Sequence, residues 1–449
     1  MSGMARVLSR RGVRVTGSDL RESSTLTSLR EEYGIDAVAG HDRRNVDNAT
    51  LVVASAAVKR DNAEIVAAGE RGIPVISRAE MLGRLMADYP RSIAISGTHG
   101  KTTTTGMIAT VLEAAGLDPT VLIGGDLPAF HGNARLGASD VFVAEACEAY
   151  DSFLDLRPWL SVITNIEADH LDYYGDFDNI LCSFGKFLRQ TSGKAILCGD
   201  DPGIASLLDA TDGFPPIVLY GAAENATLRA KDIVLDGMAP SYIVEHVGVE
   251  LGRVTLSVPG RHNVTNSLSA VAVGLELGVP FDKIVDGLAR FTGTGRRFEH
   301  LGVRDGVDIV DDYAHHPTEI RATLAAARAA YGSRRIIAVF QPHLPSRTSD
   351  FLEEFAESFS DADQVFLTDI YLAREQPREG VTGASLAALT ADRRGVDHVA
   401  YVADKSALPS RLAEFVRPGD VVLTLGAGHD IREIAEAFLN SPKPPLATG

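Results

Sequence analysis

Cysteine is scarce in this chain of 449 residues: Cys147, Cys182 and Cys198 are all there is. They show neither metal-ligand spacing nor the even number of a disulfide framework, which predicts a reducing, cytoplasmic setting. Positive charge is also short. Forty-three lysines and arginines against 60 acidic residues leave a formal charge of −17, which argues against a nucleic-acid or anionic-membrane surface. No apolar run approaches the ~18 residues of a membrane span, and no signal peptide opens the chain. Repeats with a period of roughly 20–50 residues are missing too, which excludes solenoids and propellers. Low complexity is confined to the tail "SPKPPLATG", expected to be disordered.

What is present is an ordinary globular composition, 45% apolar and 23% charged, in a length that suggests about three domains at ~150 residues each. Short apolar runs, "LVVASAAV" (51–58), "VFVAEA" (141–146), "LSVITNI" (160–166) and "RIIAVFQ" (335–341), alternate with stretches of helical period. That alternation predicts an α/β fold of parallel strands joined by crossover helices. Joints are expected near "ADYPRS" (87–92) and the glycine-rich "FTGTGRRFEH" (291–300). Three domains are therefore expected: a Rossmann-like one over 1–89, a central P-loop-type domain with a mainly parallel sheet over 90–296, and a Rossmann-like one over 297–449. The first is odd. "MSGMARVLSRRGVRVTGSDL" reads as a helix and then a strand, without the strand and glycine loop that a dinucleotide-type unit places before that helix. A truncated or mis-started reading frame is the expectation, with "VRVTGSD" as an edge strand or beside a gap.

The chemistry concentrates at "IAISGTHGKTTTTGMI" (93–108). An apolar strand, a glycine turn and a helix start describe a phosphate-gripping loop, although Ile95 stands where the usual spacing has its first glycine. Gly97 and Gly100 frame Thr98 and His99, so successive backbone N–H groups can face a triphosphate. Lys101 can reach the β/γ-phosphates, Thr102 can ligate magnesium, and Thr103 follows in the same turn. A bare glycine–lysine–threonine cluster also occurs in helix caps; the strand before and the helix after favour the nucleotide. Downstream, "VAEACEAYDSF" sets Glu145 and Glu148 at a strand end, and "TNIEADHLD" sets Asn165, Glu167, Asp169 and His170 beyond another. Oxygen and imidazole ligands suit Mg²⁺ or Mn²⁺. For Glu148, Glu167 and Asp172 a solvated acidic loop explains the residues as well, while Glu145 and His170 are the better metal candidates.

"SGTHGKTTTT", "AEACE", "TNIEADHLDYYGDF", "PGRHNVTNSLSA", "GTGRRFE", "DDYAHHPTEI" and "FQPHLPSRT" follow one another in the order seen in the Mur ligases. The chain resembles that family over nearly its whole length, and "EADHLD", "DDYAHHPTE" and "FQPH" together resemble the alanine-adding branch. The resemblance implies an ATP- and Mg²⁺-dependent carboxylate–amine ligase acting on UDP-N-acetylmuramate and L-alanine through an acyl phosphate, as a monomer or homodimer. Domain 1–89 would bind the UDP-sugar, 90–296 ATP, and 297–449 the amino acid while completing the ATP site. Carried over by motif, Lys101, Glu145, His170 and His315 are the expected catalytic residues. Thr102, Glu145 and His170 are the expected metal ligands. Gly97 to Thr103, Asn263, Asn266, Arg297 and Asp312 are expected at ATP. Gly3, Asp19 and Ser55 are the remaining UDP-sugar candidates, with His343 and Arg347 on the amino-acid side. A helix N-cap is the competing account for one of the two asparagines, and a capped helix start for "DDYAHHP". Cys147 and Tyr150 stand where the family has acids. Lys186, sixteen residues past His170, reads as an ordinary helix lysine rather than a carbamylated one. A peptide-recycling ligase, a folylpolyglutamate synthase and an ATP-binding paralogue without turnover remain as alternatives.

Overall fold

The structure is a computed structural model and describes residues 1–210, 212–373 and 375–441. Residues 442–449, most of the tail expected to be disordered, lie outside the described residues. The chain clusters into two compact units, one comprising Met1–Arg229, Glu245–Val249 and Asn266–Leu288, the other Ala230–Val244, Glu250–Thr265 and the chain from Ala289 on. Strands alternate with helices over much of the chain, as the apolar runs predict, but residues 217–255 hold four successive strands with no helix between them.

The first unit opens with the helix Ser2–Arg10 and two small parallel pairs, β1 (Thr16–Asp19) with β2 (Asp36–Ala39) and β3 (Val52–Ala54) with β4 (Val75–Ser77). Among the described residues β1 has no second neighbour. The main sheet uses β5 (Arg91–Ser96), β6 (Thr120–Leu127), β7 (Gly132–Arg135), β8 (Val141–Glu145), β9 (Leu160–Ile163), β10 (Lys194–Cys198) and β11 (Ile217–Gly221). Their order is β11-β10-β9-β5-β8-β6-β7, parallel except for the β6–β7 hairpin. Ile93, Ala94 and Ile95 of β5 are fully buried, as a near-continuous apolar run in a sheet covered on both faces requires. The helix Lys101–Ala114 is buried from Thr104 to Leu112, so it has no polar face to show. Gly287 makes this possible: a Cβ there would lie 2.5 Å from the Cα of Val111.

Three strands, β12 (Leu228–Val234), β13 (Ser241–His246) and β14 (Val249–Thr255), have residues divided between the units. The second unit's own sheet comprises β15 (Glu299–Arg304), β16 (Val307–Asp312), β17 (Ile336–Phe340), β18 (Gln364–Leu367), β19 (Val399–Tyr401) and β20 (Val421–Leu425). The order is β15-β16-β20-β17-β18-β19, with only β15–β16 antiparallel. Its core closes around Ile336, Ala338, Phe340, Phe355, Phe359 and Leu423. Among the described residues no helix is long and apolar enough to cross a membrane.

In the first unit the connections from β5 run to one side and those from β9 to the other. That reversal falls between β5 and β9, and the carboxyl ends of strands at such a point are where open α/β sheets bind their ligands.

Candidate active site

The loop expected to grip phosphate, residues 97–100, joins the end of β5 to the helix Lys101–Ala114. Gly97 has φ +127° and Gly100 φ +82°, values that L side chains rarely adopt. Space forbids a side chain as well: a Cβ on Gly97 would collide with the Thr164 hydroxyl, and one on Gly100 would come to 2.9 Å from Asn266 Oδ1. Gly100 is the N-cap of the helix Lys101–Ala114 and brings no capping side chain, so the first-turn N–H groups lack the usual side-chain acceptor. The loop "TNIE" braces this turn from the end of β9. Thr98 N donates to Asn165 O at 3.0 Å, His99 N to Asn165 Oδ1 at 2.8 Å, and Glu167 N to the Thr98 hydroxyl at 2.9 Å. His99 Nε2 lies 3.3 Å from Glu167 Oε2.

Lys101 folds back over the loop. Its Nζ donates to Gly97 O at 2.6 Å, Thr98 O at 3.0 Å and Glu148 Oε1 at 2.9 Å. Burial is the largest single influence and would lower its pKa, yet Glu148, with Cys147 and Glu145, together outweighs it and raises the pKa. The lysine therefore keeps its proton. Glu148 is only 4% exposed, which corrects the solvated-loop reading of this residue. Thr102 donates to Glu145 Oε1 at 2.5 Å. Thr103 is half-buried in the same turn. Cys147, beside this pair, is pushed up to about 11 by burial and by Glu148, so it stays a neutral thiol. The "AYD" that follows is strained: Tyr150 and Asp151 both have positive φ, and Tyr174 and Ser183 hold Asp151 in place.

His170 is half-buried at the start of the short helix Leu171–Tyr174, its Nε2 3.8 Å from Asp169 and its ring 6.3 Å from that of Tyr150. Asp172 and Lys186 are exposed. Asn266 lies against Gly100 in the first unit, whereas Asn263 belongs to the second and donates to Pro259 O at 2.7 Å. The three amino-terminal candidates lie on or just after three different elements. Gly3 is buried in the helix Ser2–Arg10, where an added Cβ would sit 3.1 Å from Leu122 and 3.2 Å from Ala134. Asp19 is exposed at the end of β1, and Ser55 is half-buried just after β3.

In the second unit, Asp312 is buried at the end of β16 and accepts from Phe298 N and Ala314 N, each at 2.7 Å. Burial pushes its carboxyl up to about 6, against the pull of Arg297. Arg297 lies over the Tyr313 ring at 5.0 Å and 3.7 Å from Glu319. His315 Nδ1 faces two acceptors, Tyr313 O at 3.0 Å and Glu319 Oε2 at 3.1 Å. Both fix the proton at Nδ1, which leaves the lone pair of a neutral ring on Nε2. His315 and His343 pack edge to face at 5.8 Å, and Arg347, 6% exposed, reaches His343 Nδ1 at 3.4 Å. The structure thus gathers His315, His343 and Arg347 beside Arg297 and Asp312 within this unit.

Two residues here escaped the sequence reading. Arg296, rather than Arg297, ties down the glycine-rich joint, donating to Asp311 at 3.1 Å and to Gly426 O at 2.7 Å. His262 is half-buried, and its pKa is lowered to about 4 by desolvation and then by Arg297. Only the doublet "RR" and the lone histidine of "GRHN" mark them, and neither spacing predicts burial.

Three consecutive stretches match family models: residues 1–90 the Mur ligase family catalytic domain, 95–274 the Mur ligase middle domain, and 296–428 the Mur ligase glutamate ligase domain. The UDP-N-acetylmuramate–L-alanine ligase of Trichlorobacter lovleyi is 48% identical over 98% of this chain and 96% of its own length. That of Geobacter sulfurreducens is 48% identical over 98% and 94%. Among solved structures, the UDP-N-acetylmuramate–alanine ligase of Thermotoga maritima superposes with a TM-score of 0.80 at 29% identity, covering 98% of this chain and 95% of that one. A murein peptide ligase from Psychrobacter arcticus gives 0.72 at 25% identity, with 98% and 97% covered. The α/β fold in three domains expected from the apolar runs is the one these comparisons return.

Proposed function

The chain belongs to the Mur ligase family, and within it we propose that it is the alanine-adding ligase, joining L-alanine to the lactyl carboxylate of UDP-N-acetylmuramate at the expense of ATP in the cytoplasm. The reaction transfers the γ-phosphoryl group to the carboxylate: the carboxyl O–P bond forms as the bond to ADP breaks. The amine of alanine then attacks the acyl carbon, and the tetrahedral intermediate expels phosphate. No protein nucleophile is needed, so the protein's work is positioning and charge stabilisation.

The observation that carries the reading is the side-chain-free cradle at the end of β5, with a charged lysine folded over it. Cβ atoms at Gly97 and Gly100 would fill the space. An uncapped helix start supplies N–H donors for phosphate oxygens. Lys101 and the backbone N–H groups from Gly100 to Thr103 would grip the triphosphate. Thr102 and Glu145, already hydrogen-bonded to each other, are with His170 the residues that would hold Mg²⁺. When bound, the metal offsets phosphate charge and polarises the transferring group. We assign His315 Nε2 as acceptor for the amine proton, and Arg347 as the partner of the alanine carboxylate, since its fork binds two oxygens at once.

Phosphate release from ATP, measured with UDP-N-acetylmuramate plus L-alanine, plus the tripeptide L-alanyl-γ-D-glutamyl-meso-diaminopimelate, or plus neither, tests the assignment. Turnover with alanine alone is expected. Turnover only with tripeptide would move the chain to the peptide-recycling branch, and none with either would leave an ATP-binding paralogue.

A further inference from the structure

The residues proposed for the amino-acid side sit on an awkward piece of backbone. Leu344, between His343 and the helix Pro345–Asp350 that carries Arg347, has φ +69° and ψ 127°. A branched side chain rarely adopts such values, and they persist only where surrounding structure imposes them. What imposes them is a second segment running alongside. Tyr371 N donates to Pro342 O at 2.8 Å and Leu344 N to Tyr371 O at 3.0 Å, a parallel bridge pairing His343 with Tyr371. Their rings stack with centroids 5.6 Å apart and planes 15° from parallel. Glu375 finishes the strap. Its carboxylate takes both donors of one residue, Ser346 N at 2.9 Å on Oε2 and the Ser346 hydroxyl at 2.5 Å on Oε1.

We propose that Glu375 is a positioning residue for amino-acid binding: by clamping Ser346 it holds the strained turn through which Arg347 and His343 are aimed. The inference rests on the proposed role of Arg347. Ser346 is one residue from Arg347 and 5% exposed, so a rotation of this turn displaces the guanidinium directly. Neither Glu375 nor Ser346 need touch the substrate. Charge-assisted bonds to backbone and hydroxyl are the stronger kind, and the two act on a single residue, so they fix its orientation as well as its place.

Glu375→Ala should therefore raise KM for L-alanine roughly 10- to 100-fold, the effect of losing one or two charge-assisted bonds. KM for ATP and the melting temperature should change little. Glu375→Gln, which keeps one acceptor, should fall between the parent and Glu375→Ala, and Ser346→Ala should lose part of the affinity. An unchanged alanine KM in Glu375→Ala, or equal rises in the alanine and ATP constants, overturns the proposal. Should Glu375→Ala fail to fold, the same readings on Glu375→Gln and Ser346→Ala decide it. Arg347→Lys separates the two levels. If it leaves the alanine KM unchanged, the amino-acid assignment of Arg347 fails; if it raises that KM while the Glu375 variants do not, only the clamp fails.

Discussion

Replacing Lys101 by alanine should do two separable things. The lysine, itself half-buried, is the partner of Glu148, which is 4% exposed and 2.9 Å from Nζ. Removing one member of such a pair strands a charge in a poorly solvated place and costs about 3–5 kcal/mol. For a domain of this size each kcal/mol moves the melting temperature by roughly 2–4 °C, so Lys101→Ala should melt roughly 6–20 °C lower. A second substitution, Glu148→Gln, removes the stranded charge and should return most of that loss. Catalysis should not return. One charge contact to the transferring phosphoryl group is worth about 3 kcal/mol in the transition state, hence a loss of roughly 10²-fold or more in kcat/KM for ATP, in the single and the double variant alike. Differential scanning calorimetry and phosphate release on the parent, both single variants and the double variant form the assay. A Lys101→Ala protein as stable as the parent would refute the ion pair. Recovered turnover in the double variant would show that the lysine serves the fold and not the phosphate.

Gly97→Ala should lower kcat/KM for ATP at least tenfold, because the substitution meets both a φ of +127° and the Thr164 hydroxyl; strain of about 1–3 kcal/mol is expected, and parent-like ATP kinetics would sink the cradle. Acid stability should reveal a cancelling pair in the second unit. His262 is lowered from 6.5 to about 4 by burial, so its contribution is full above pH 6.5 and lost as pH falls towards 4, whereas Asp312 is raised from 3.8 to about 6 by burial, so its contribution is full below pH 3.8 and lost as pH rises towards 6. Melting followed from pH 7 to 4 should then drop more steeply than the parent's in Asp312→Asn and less steeply in His262→Asn; profiles parallel to the parent's would contradict both assignments.

The strands were legible because a parallel strand covered on both faces must be apolar along its length, and "VFVAEA", "LSVITNI" and "RIIAVFQ" are. The glycine turn was legible for a different reason: glycine at 97 and 100 answers to positive φ, and the lysine and threonine next to them are the residues proposed to meet phosphate. Glu148 was not, because nothing in "AEACEAYD" distinguishes an acid turned inward onto a lysine 47 positions earlier from one turned to solvent. Arg296 and Glu375 share that difficulty. Their partners, Asp311, Gly426 and Ser346, come from other elements, and loop sequence has no period from which burial can be read. Where the first helix was expected to give way to a strand over "VRVTGSD", only Thr16–Asp19 pairs, and its burial pattern is mostly exposed; alternation in the sequence says nothing about how many neighbours a strand will have.

The charge of the phosphate cradle sets a condition on any chemistry there. Lys101, half-buried, is the cation that folds over the cradle, and Glu148 already neutralises it. Glu145 stands hydrogen-bonded to Thr102, and Glu167 lies 3.3 Å from His99. Left to these groups, the cradle would carry more negative than positive charge before any triphosphate arrived. Two like charges ~4 Å apart cost about 4 kcal/mol at an effective dielectric near 20, and a triphosphate presents several. The chain as a whole, at −17, supplies no background relief. The cations must therefore come with the nucleotide. Under the proposed function, a site built this way should hold bare ATP poorly and the metal complex better, with the carboxylates selecting the form of ATP that is ready to transfer its phosphoryl group.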